Sequence, residues 1–208
     1  MNTLTKQFAL SIFVLALCAG LASTPASAKG KSAKAVVRKI EIDTGVSTPE
    51  YNGASRQSSK GRWTRIEIEF ETVGGSKGWI SELEFEWNVL IADGGRFMRI
   101  KKTFSHLDVE SGESHKAVVY IRPSFIKRWY NRKKISKGDI AVHVELKVGG
   151  ERIGSYNQSK IRGLPKNWWE KSDKGNLKTF EDALLSREET PFQPLDYDRY
   201  GHIKPDKR

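Results

Sequence analysis

The sequence predicts an all-β protein: an immunoglobulin-like sandwich of two antiparallel sheets with about seven strands, a short helical insertion, and a C-terminal helix followed by an extended tail. Three observations favour this fold. Apolar and polar residues alternate with period two through most of residues 35–157. The second and third predicted strands both carry glutamates on their polar faces, which places these two strands in different sheets. Trp87 lies where immunoglobulin-like folds carry a core Trp. A jelly roll and a small barrel are the alternatives.

Each predicted strand has one apolar and one polar face, and turns rich in Gly or Asp separate it from the next. In the third strand, for example, Leu83, Phe85 and Trp87 alternate with glutamates. The apolar face of such a strand packs on the core, and the polar face meets solvent. The predicted strands are residues 35–43, 62–73, 79–92, 96–104, 115–122, 139–148 and 151–157.

The residues ADGG at 92–95 predict a tight hairpin between the third and fourth strands. A turn centred on the Asp-Gly pair sets Val89 opposite Met98 on the inner face. It also sets Glu86 opposite Lys101 on the outer face, so apolar pairs with apolar and acid with base. The Gly-Gly pair at 149–150 similarly predicts a hairpin between the last two strands.

The second and third strands are not expected to pair with each other. Both carry glutamates along their outer faces, so any hairpin that matches their apolar faces sets Glu opposite Glu. Like charges that face each other across two strands are destabilising. A chain that crosses from one sheet to the other between these strands avoids the repulsion, as immunoglobulin-like folds do between their second and third strands.

Two segments extend the minimal sandwich. Residues 123–134 predict a helical turn between the fifth and sixth strands, because Pro suits the first position of a helix. The C-terminal extension predicts a short helix over about 177–187 and then a proline-containing tail. We therefore expect a sandwich at 29–162 and an extension at 163–208. Aromatic and apolar side chains favour docking of the tail, on the domain or on a partner. These residues are Phe192, Leu195, Tyr197 and Tyr200.

Residues 1–28 have the composition of a secretory signal peptide. Lys6 precedes the apolar run 8–22, and the small residues STPASA follow it. The run is short for a helix that spans a membrane. We expect cleavage after Ala28 and an exported protein that is periplasmic, associated with the outer membrane or extracellular.

The charge and cysteine content limit the partners and the chemistry. The precursor carries a net charge of +11, of which the leader contributes a single Lys. Such a field favours polyanionic neighbours, such as an anionic glycan, lipopolysaccharide or an acidic protein. Export makes nucleic acid a poor candidate. The one Cys lies in the leader, so the mature chain has no disulfide, cysteine-ligated zinc or cysteine nucleophile.

No set of residues in the sequence indicates an enzyme. The glutamates lie on regular strand faces rather than across a cleft, as a glycosidase pair requires. His106 and His115 bracket a loop and could approach each other, but ordinary surface histidines are the favoured interpretation. We therefore expect no catalytic residue, no metal and no cofactor.

The best candidate for a binding site is a basic and aromatic cluster in the predicted helical insertion. Arg side chains bind sulfate or phosphate through two hydrogen bonds, and aromatic rings stack on sugars or cations. In the alternative interpretation, Phe125, Ile126 and Trp129 cap one end of the sandwich while the cations stay in water. The candidate residues are Lys127, Arg128, Trp129, Tyr130, Arg132, Lys133 and Lys134.

Several segments resemble a small group of exported pilus-like proteins, associated with type IV pilus-like gene clusters of verrucomicrobial bacteria. The segments are the leader, WISELEF at 79–85, GLP at 163–165, WWE at 168–170 and TPFQPL at 190–195. The resemblance implies an immunoglobulin-like domain, an envelope location and assembly with other proteins rather than catalysis. Unlike a type IV pilin, the chain begins with a cleavable leader, which favours an accessory role.

Two functions follow from these features. The first is a non-enzymatic structural or adaptor part of a pilus-like envelope assembly, with envelope or pilus-like proteins or a second copy of the chain as partners. The second is a module that binds anionic glycan or lipopolysaccharide through the basic cluster.

Overall fold

The computed structural model describes residues 32–50, 61–130 and 135–205. The predicted leader, residues 1–28, lies outside these ranges. The described residues form two β-sheets that pack face to face, so the predicted two-sheet sandwich is confirmed.

The described residues form ten strands, one α-helix and four 3-10 turns. The strands are β1 Lys34–Val46, β2 Trp63–Val73, β3 Trp79–Asp93, β4 Arg96–Glu110, β5 Ser114–Ile121, β6 Ile140–Val148, β7 Glu151–Ser159, β8 Leu177–Phe180, β9 Leu184–Ser186 and β10 His202–Ile203. The helix, α1, is Pro123–Trp129, and the 3-10 turns are Lys137–Asp139, Trp168–Glu170, Arg187–Glu189 and Tyr197–Arg199.

The chain crosses repeatedly between its two sheets. The first sheet has the order β1-β2-β5-β9, and the second has the order β10-β4-β3-β6-β7, with β8 parallel to β4. β2 and β3 therefore lie in different sheets, which confirms the prediction made from their glutamates. Strands β1, β2 and β5 of the first sheet thus face β4, β3, β6 and β7 of the second. The immunoglobulin-like type of this sandwich stays a prediction.

Large apolar side chains from both inner faces fill the space between the sheets. Trp87 and Phe85 on β3 are fully buried. The Phe85 ring meets the ring of Phe70 on β2 edge to face, with 5.0 Å between the centroids, a geometry that aromatic pairs prefer. Trp87 thus occupies the core position predicted from the sequence. Burial of a large apolar side chain of this kind contributes about 1.5–3 kcal/mol to stability.

The turn of the β3–β4 hairpin lies one residue further along the chain than predicted. Asp93 pairs with Arg96, so Gly94 and Gly95 form the two-residue turn. Both glycines have positive φ, 55° and 88°. Positive φ at both positions is typical of a type I′ hairpin turn, and glycine adopts this backbone without strain.

The shifted turn changes the partners but not the faces of the two strands. Val89 pairs with Ile100, so the predicted pairing of Val89 with Met98 is wrong by two residues. The apolar faces still match because side chains alternate with period two. Lys101 still forms its ion pair with Glu86, at 2.6 Å, as a diagonal rather than a directly opposite neighbour.

The helix predicted for about 177–187 is wrong. This segment forms β8, β9 and the first residue of a 3-10 turn. The free edge of β4 offers backbone hydrogen bonds to β8, and the edge of β5 offers them to β9. Long-range pairing of this kind overrides local helix propensity.

Arg99 on β4 fixes the chain just before β8. Arg99 is 8% exposed, and its guanidinium donates hydrogen bonds to the carbonyl oxygens of Trp169 and Lys171, at 3.0 and 2.5 Å. It also donates to Asp173 at 3.1 Å and to Thr179 at 3.0 Å. Hydrogen bonds from a charged donor are among the stronger ones in proteins, so Arg99 holds this loop and β8 against the second sheet.

The C-terminal extension, residues 163–205 of which are described, adds strands to both sheets and covers parts of their outer faces. Trp168 is buried against Leu90 and Ala141 on the second sheet. Phe192 is buried against Trp63 and Tyr120 on the first sheet. The chain thus uses its own C-terminal residues to cover the edges of β4 and β5.

Candidate functional site

The edges of β1 and β7 lie side by side and are each paired on one side only among the described residues: β1 with β2, and β7 with β6. The two edges meet at Ala35 and Gly154. A Cβ at Gly154 would overlap the carbonyl oxygen of Ala35. Only glycine therefore permits this close approach.

Replacing Gly154 by Ala should lower the free energy of unfolding by about 1–3 kcal/mol, because the added methyl must push β7 away from β1. Gly138 is the matched control, since the nearest atom to a Cβ there is 3.7 Å away. Gly138→Ala should change stability by less than about 0.5 kcal/mol. Urea unfolding followed by Trp fluorescence measures both, and equal stability of the two variants would contradict the close contact.

Away from Gly154, the two edges separate and form an open-edge cleft of about 390 Å³. It lies between the end of β1, the 3-10 turn that precedes β6, and the end of β7. Both strand edges reach it with one side unpaired within the described ranges. The lining residues are Glu41, Ile42, Asp43, Arg65, Lys137, Ile140, Gln158 and Lys160.

The net charge that this cleft presents is positive. Glu41 forms an ion pair with Lys39, and the Asp43 carboxylate accepts a hydrogen bond from the backbone N–H of Gly45 at 2.9 Å. The lining cations form no ion pair with any residue of the described ranges. These cations are Arg65, Lys137 and Lys160. An anionic group could enter the cleft without displacing an existing acid from them.

A second surface, the basic–aromatic end, consists of Lys127, Arg128, Trp129, Lys178 and Phe180. Lys127 and Arg128 are exposed on α1, and Trp129 is half-buried. The Trp129 ring packs on Phe180, with 4.9 Å between centroids. The cations of Arg128 and Lys178 lie 5.0 and 4.5 Å from the centre of the Trp129 ring. An indole ring attracts cations at such distances.

Tyr130 does not belong to this surface, which corrects the sequence prediction. Tyr130 is 2% exposed, and its hydroxyl donates a hydrogen bond to Asp139 at 2.7 Å. Phe125 and Ile126 are also buried, so α1 caps the sandwich as the alternative interpretation predicts. Lys178 was missed because the sequence placed it on a helix. Three predicted residues lie outside the described ranges, namely Arg132, Lys133 and Lys134.

Residues 187–200 form a C-terminal strap across the first sheet, and β10 then joins the second sheet. The Phe192 ring stacks on Tyr120 with 4.6 Å between centroids and 4° between planes. It also meets Trp63 edge to face at 5.5 Å. Leu195 is 39% exposed, and Tyr197 begins a 3-10 turn.

Glu67 on β2 fixes the end of the strap. It is 3% exposed and accepts hydrogen bonds from Tyr200 at 2.5 Å, Arg199 at 2.9 Å and Lys116 at 3.1 Å. Burial would raise the pKa of Glu67, but these three donors hold it below its usual value. The strap therefore binds the chain's own sheet through stacking and a buried carboxylate.

Two of the histidines are buried, so the prediction of surface histidines is wrong for them. His106 is 2% exposed, with Phe85 at 4.7 Å between ring centroids. It lines a cavity of about 280 Å³ with His115 and His202. His143 is 3% exposed and stacks on Trp169 at 3.7 Å. In the described part of the chain, no group of three or more His, Cys, Asp or Glu residues could hold a metal ion.

The residues GGSKG at 74–78 have the Gly-x-Ser-x-Gly spacing of a hydrolase nucleophile elbow. Such an elbow joins a strand to a helix. Here the segment joins β2 to β3, and the backbone of Ser76 exchanges hydrogen bonds with Trp79 at 3.0 and 3.1 Å. The segment is therefore a turn between two strands.

No helix within the described ranges is long and apolar enough to cross a membrane. The fold defines a class of β-sandwich protein in which the C-terminal extension pairs with strands of both sheets. A protein-family model matches residues 26–207, and the chain belongs to the family that this model describes. None of the curated proteins matches the sequence.

The fold is similar to that of a protein from Akkermansia muciniphila, known from a crystal structure. The two have a TM-score of 0.71 and 22% sequence identity, over 85% of this chain and 95% of that chain. Akkermansia is a verrucomicrobial bacterium, so the chain shares its fold with a protein from the bacterial group that the sequence resemblance indicated. The type IV pilus context stays a prediction.

Proposed function

We propose that this protein is a non-enzymatic structural or adaptor component of the cell envelope, in a pilus-like assembly. One observation carries the proposal: the chain covers the edges of β4 and β5 with its own C-terminal strands, while β1 and β7 stay open side by side within the described ranges. An open edge is a template for a strand from another protein.

The shape of β1 supports specific rather than indiscriminate pairing. β1 has thirteen residues and two register shifts, between Val37 and Lys39 and between Asp43 and Val46. Charged residues also occur along the strand, including Lys39 and Glu41. Bulges and charges on an edge strand oppose uncontrolled aggregation. A partner must therefore match this irregular edge, as expected of a defined assembly.

The sequence features fit the same role. The leader at 1–28 predicts export, and the segments at 79–85 and 190–195 resemble exported pilus-like proteins. An adaptor in the envelope needs a partner surface but no catalytic group. The open edges supply that surface.

In-cell photo-cross-linking tests the proposal. A photoreactive amino acid replaces Lys39 on β1 or Ser155 on β7, both of which are exposed. A third variant carries it at Gln193, an exposed residue of the strap. We expect Lys39 and Ser155 to form reproducible adducts with one or a few envelope proteins, while Gln193 does not. Lack of a protein adduct at all three positions would contradict an assembly role.

A second function, binding of anionic glycan or lipopolysaccharide, is favoured by the two cations over the Trp129 ring. An aromatic ring between cations suits a sugar that carries sulfate or phosphate. The triple variant Lys127→Ser, Arg128→Ser and Lys178→Ser should elute from heparin at lower salt than the parent. A control with Lys166→Ser, Lys171→Ser and Lys174→Ser removes equal charge. If both variants elute at equally lowered salt, heparin binding depends on net charge and not on this surface.

A further inference from the structure

We infer that the open-edge cleft binds an extended, acidic segment of a partner protein. This inference rests on the proposed function and names the place and the chemistry of the contact. The occupant is a strand of another protein whose carboxylates meet the cations of the cleft.

The charges of the lining residues select an acidic occupant. Arg65 comes from β2, Lys137 from the 3-10 turn before β6, and Lys160 from the residue after β7. Three elements thus bring cations to one cleft, and no described residue pairs with them in an ion pair. The two acids of the cleft already have partners, Lys39 and the N–H of Gly45. Complementary charge across an interface guides specificity and the rate of association.

The backbone of the cleft selects an extended peptide rather than a glycan. Residues 41–43 of β1 line one side of the cleft, and Gln158 of β7 lines the other. Both strands have an edge with no strand partner among the described residues. Unpaired backbone N–H and C=O groups on such edges can form hydrogen bonds with an added strand. A peptide strand supplies them in register, which a sugar chain does not.

The form of the cleft limits the length of the occupant. Contact between Gly154 and Ala35 closes one end, so a strand can enter only beyond this point. A volume of about 390 Å³ accommodates a few side chains. In an extended strand, successive side chains point to opposite sides. Every second side chain can therefore present a carboxylate to the cations.

Synthetic octapeptides test this inference on the mature protein. The acidic probe alternates Thr and Glu, and the basic probe alternates Thr and Lys. Two-dimensional NMR of the labelled protein should show amide shifts at 41–43 and 158–160 with the acidic probe, weakening with added salt. The basic probe should cause none. Equal binding of both probes, or shifts that map outside the cleft, would overturn the inference.

A matched pair of variants adds a quantitative test. The double variant Lys137→Ser, Lys160→Ser should bind the acidic probe on the order of tenfold more weakly, since each exposed ion pair contributes several-fold to the affinity. Lys166→Ser with Lys174→Ser removes the same charge from exposed positions that do not line the cleft, and should change binding less than twofold. Equal weakening in both pairs would show a general charge effect and overturn the inference.

Two further outcomes identify a different occupant. If sedimentation shows that the protein self-associates and that Lys137→Ser with Lys160→Ser abolishes it, the occupant is a second copy, and the inference is wrong. If heparin fragments shift the amide NMR signals of the cleft residues and the acidic peptide does not, the occupant is a glycan. The inference is wrong in that case too.

The cross-linking experiment separates this inference from the proposed function. Adducts at position 39 can persist at the parent level in the Lys137→Ser, Lys160→Ser variant. In that case the assembly role stands, and the inference that the cleft binds an acidic segment is overturned. If adducts are absent in the parent as well, the proposed function fails.

Discussion

Replacing Phe192 by Ala is expected to lower the free energy of unfolding by about 3–5 kcal/mol, as for other buried Phe side chains. Phe192 is 5% exposed. Its ring stacks on Tyr120 and meets Trp63 edge to face, so truncation removes two aromatic contacts and leaves a cavity under the strap. Guanidinium unfolding followed by circular dichroism measures the loss.

Leu195 provides the control within the same strap. It is 39% exposed, so Leu195→Ala should cost less than about 0.5 kcal/mol. If the two variants were equally stable, Phe192 would not be anchored on the first sheet in solution. A large loss at Phe192 alone would show that the strap is an integral part of the sandwich.

Local pattern was enough to predict the sandwich and the sheet assignment of its main strands. Alternation identified the apolar faces of β2 and β3, and the glutamates on both outer faces excluded a β2–β3 pair. These inferences depend on neighbouring residues and on the energetics of cross-strand pairs. The hairpin register needed one more fact, that both turn residues require positive φ, which favours Gly94-Gly95 over Asp93-Gly94.

The C-terminal extension could not be predicted in this way. Residues 177–180 and 184–186 form strands because the edges of β4 and β5 are available to them in the folded chain. Glu67 illustrates the same limit. Its alternation places it on a solvent-facing side of β2, and that side becomes buried only when Arg199 and Tyr200 fold back over it.

The open-edge cleft could not be predicted from the sequence for a related reason. Arg65, Lys137 and Lys160 are far apart in the chain and look like ordinary surface cations. The meeting of β1 and β7 at Gly154 places them around one opening. The sequence gives only a partial signal: Gly154 lies inside β7, and a glycine inside a strand often marks a bulge or a close backbone approach.

Acidification should destabilise the protein between pH 6.5 and about 4 through His106. Burial, with the positive charges of His115 and His202, lowers the pKa of His106 to about 4 from an ordinary 6.5. The unfolded chain therefore binds a proton in this interval that the folded chain does not. The stability that neutral His106 provides is complete above pH 6.5 and is lost as the pH falls towards 4. The full effect is about 3 kcal/mol.

The groups around His106 come from three elements. His115 and Lys116 lie on β5, His202 on β10, and Asp108 on β4 itself. Ordinary carboxylates titrate mainly below about pH 5. Burial opposes the charged form of Glu86, yet Lys101 and Lys147 lower its pKa to about 2. The interval from pH 6.5 to 5 thus reports chiefly on histidine.

Urea unfolding at a series of pH values measures the effect. Between pH 6 and 5 the parent should lose stability with a slope of about 1 kcal/mol per pH unit from His106. His106→Gln should remove the His106 share of this slope, leaving the share of His143, whose pKa burial also lowers. His202→Gln, at an exposed position, should keep the slope. NMR titration of the His106 ring gives the pKa directly, and a value near 6.5 would contradict the prediction. A Cβ placed at Gly201 would lie only 3.0 Å from Nδ1 of His106, so the backbone just before β10 runs close to this ring. Protonation of His106 should therefore loosen β10 and the end of the strap first.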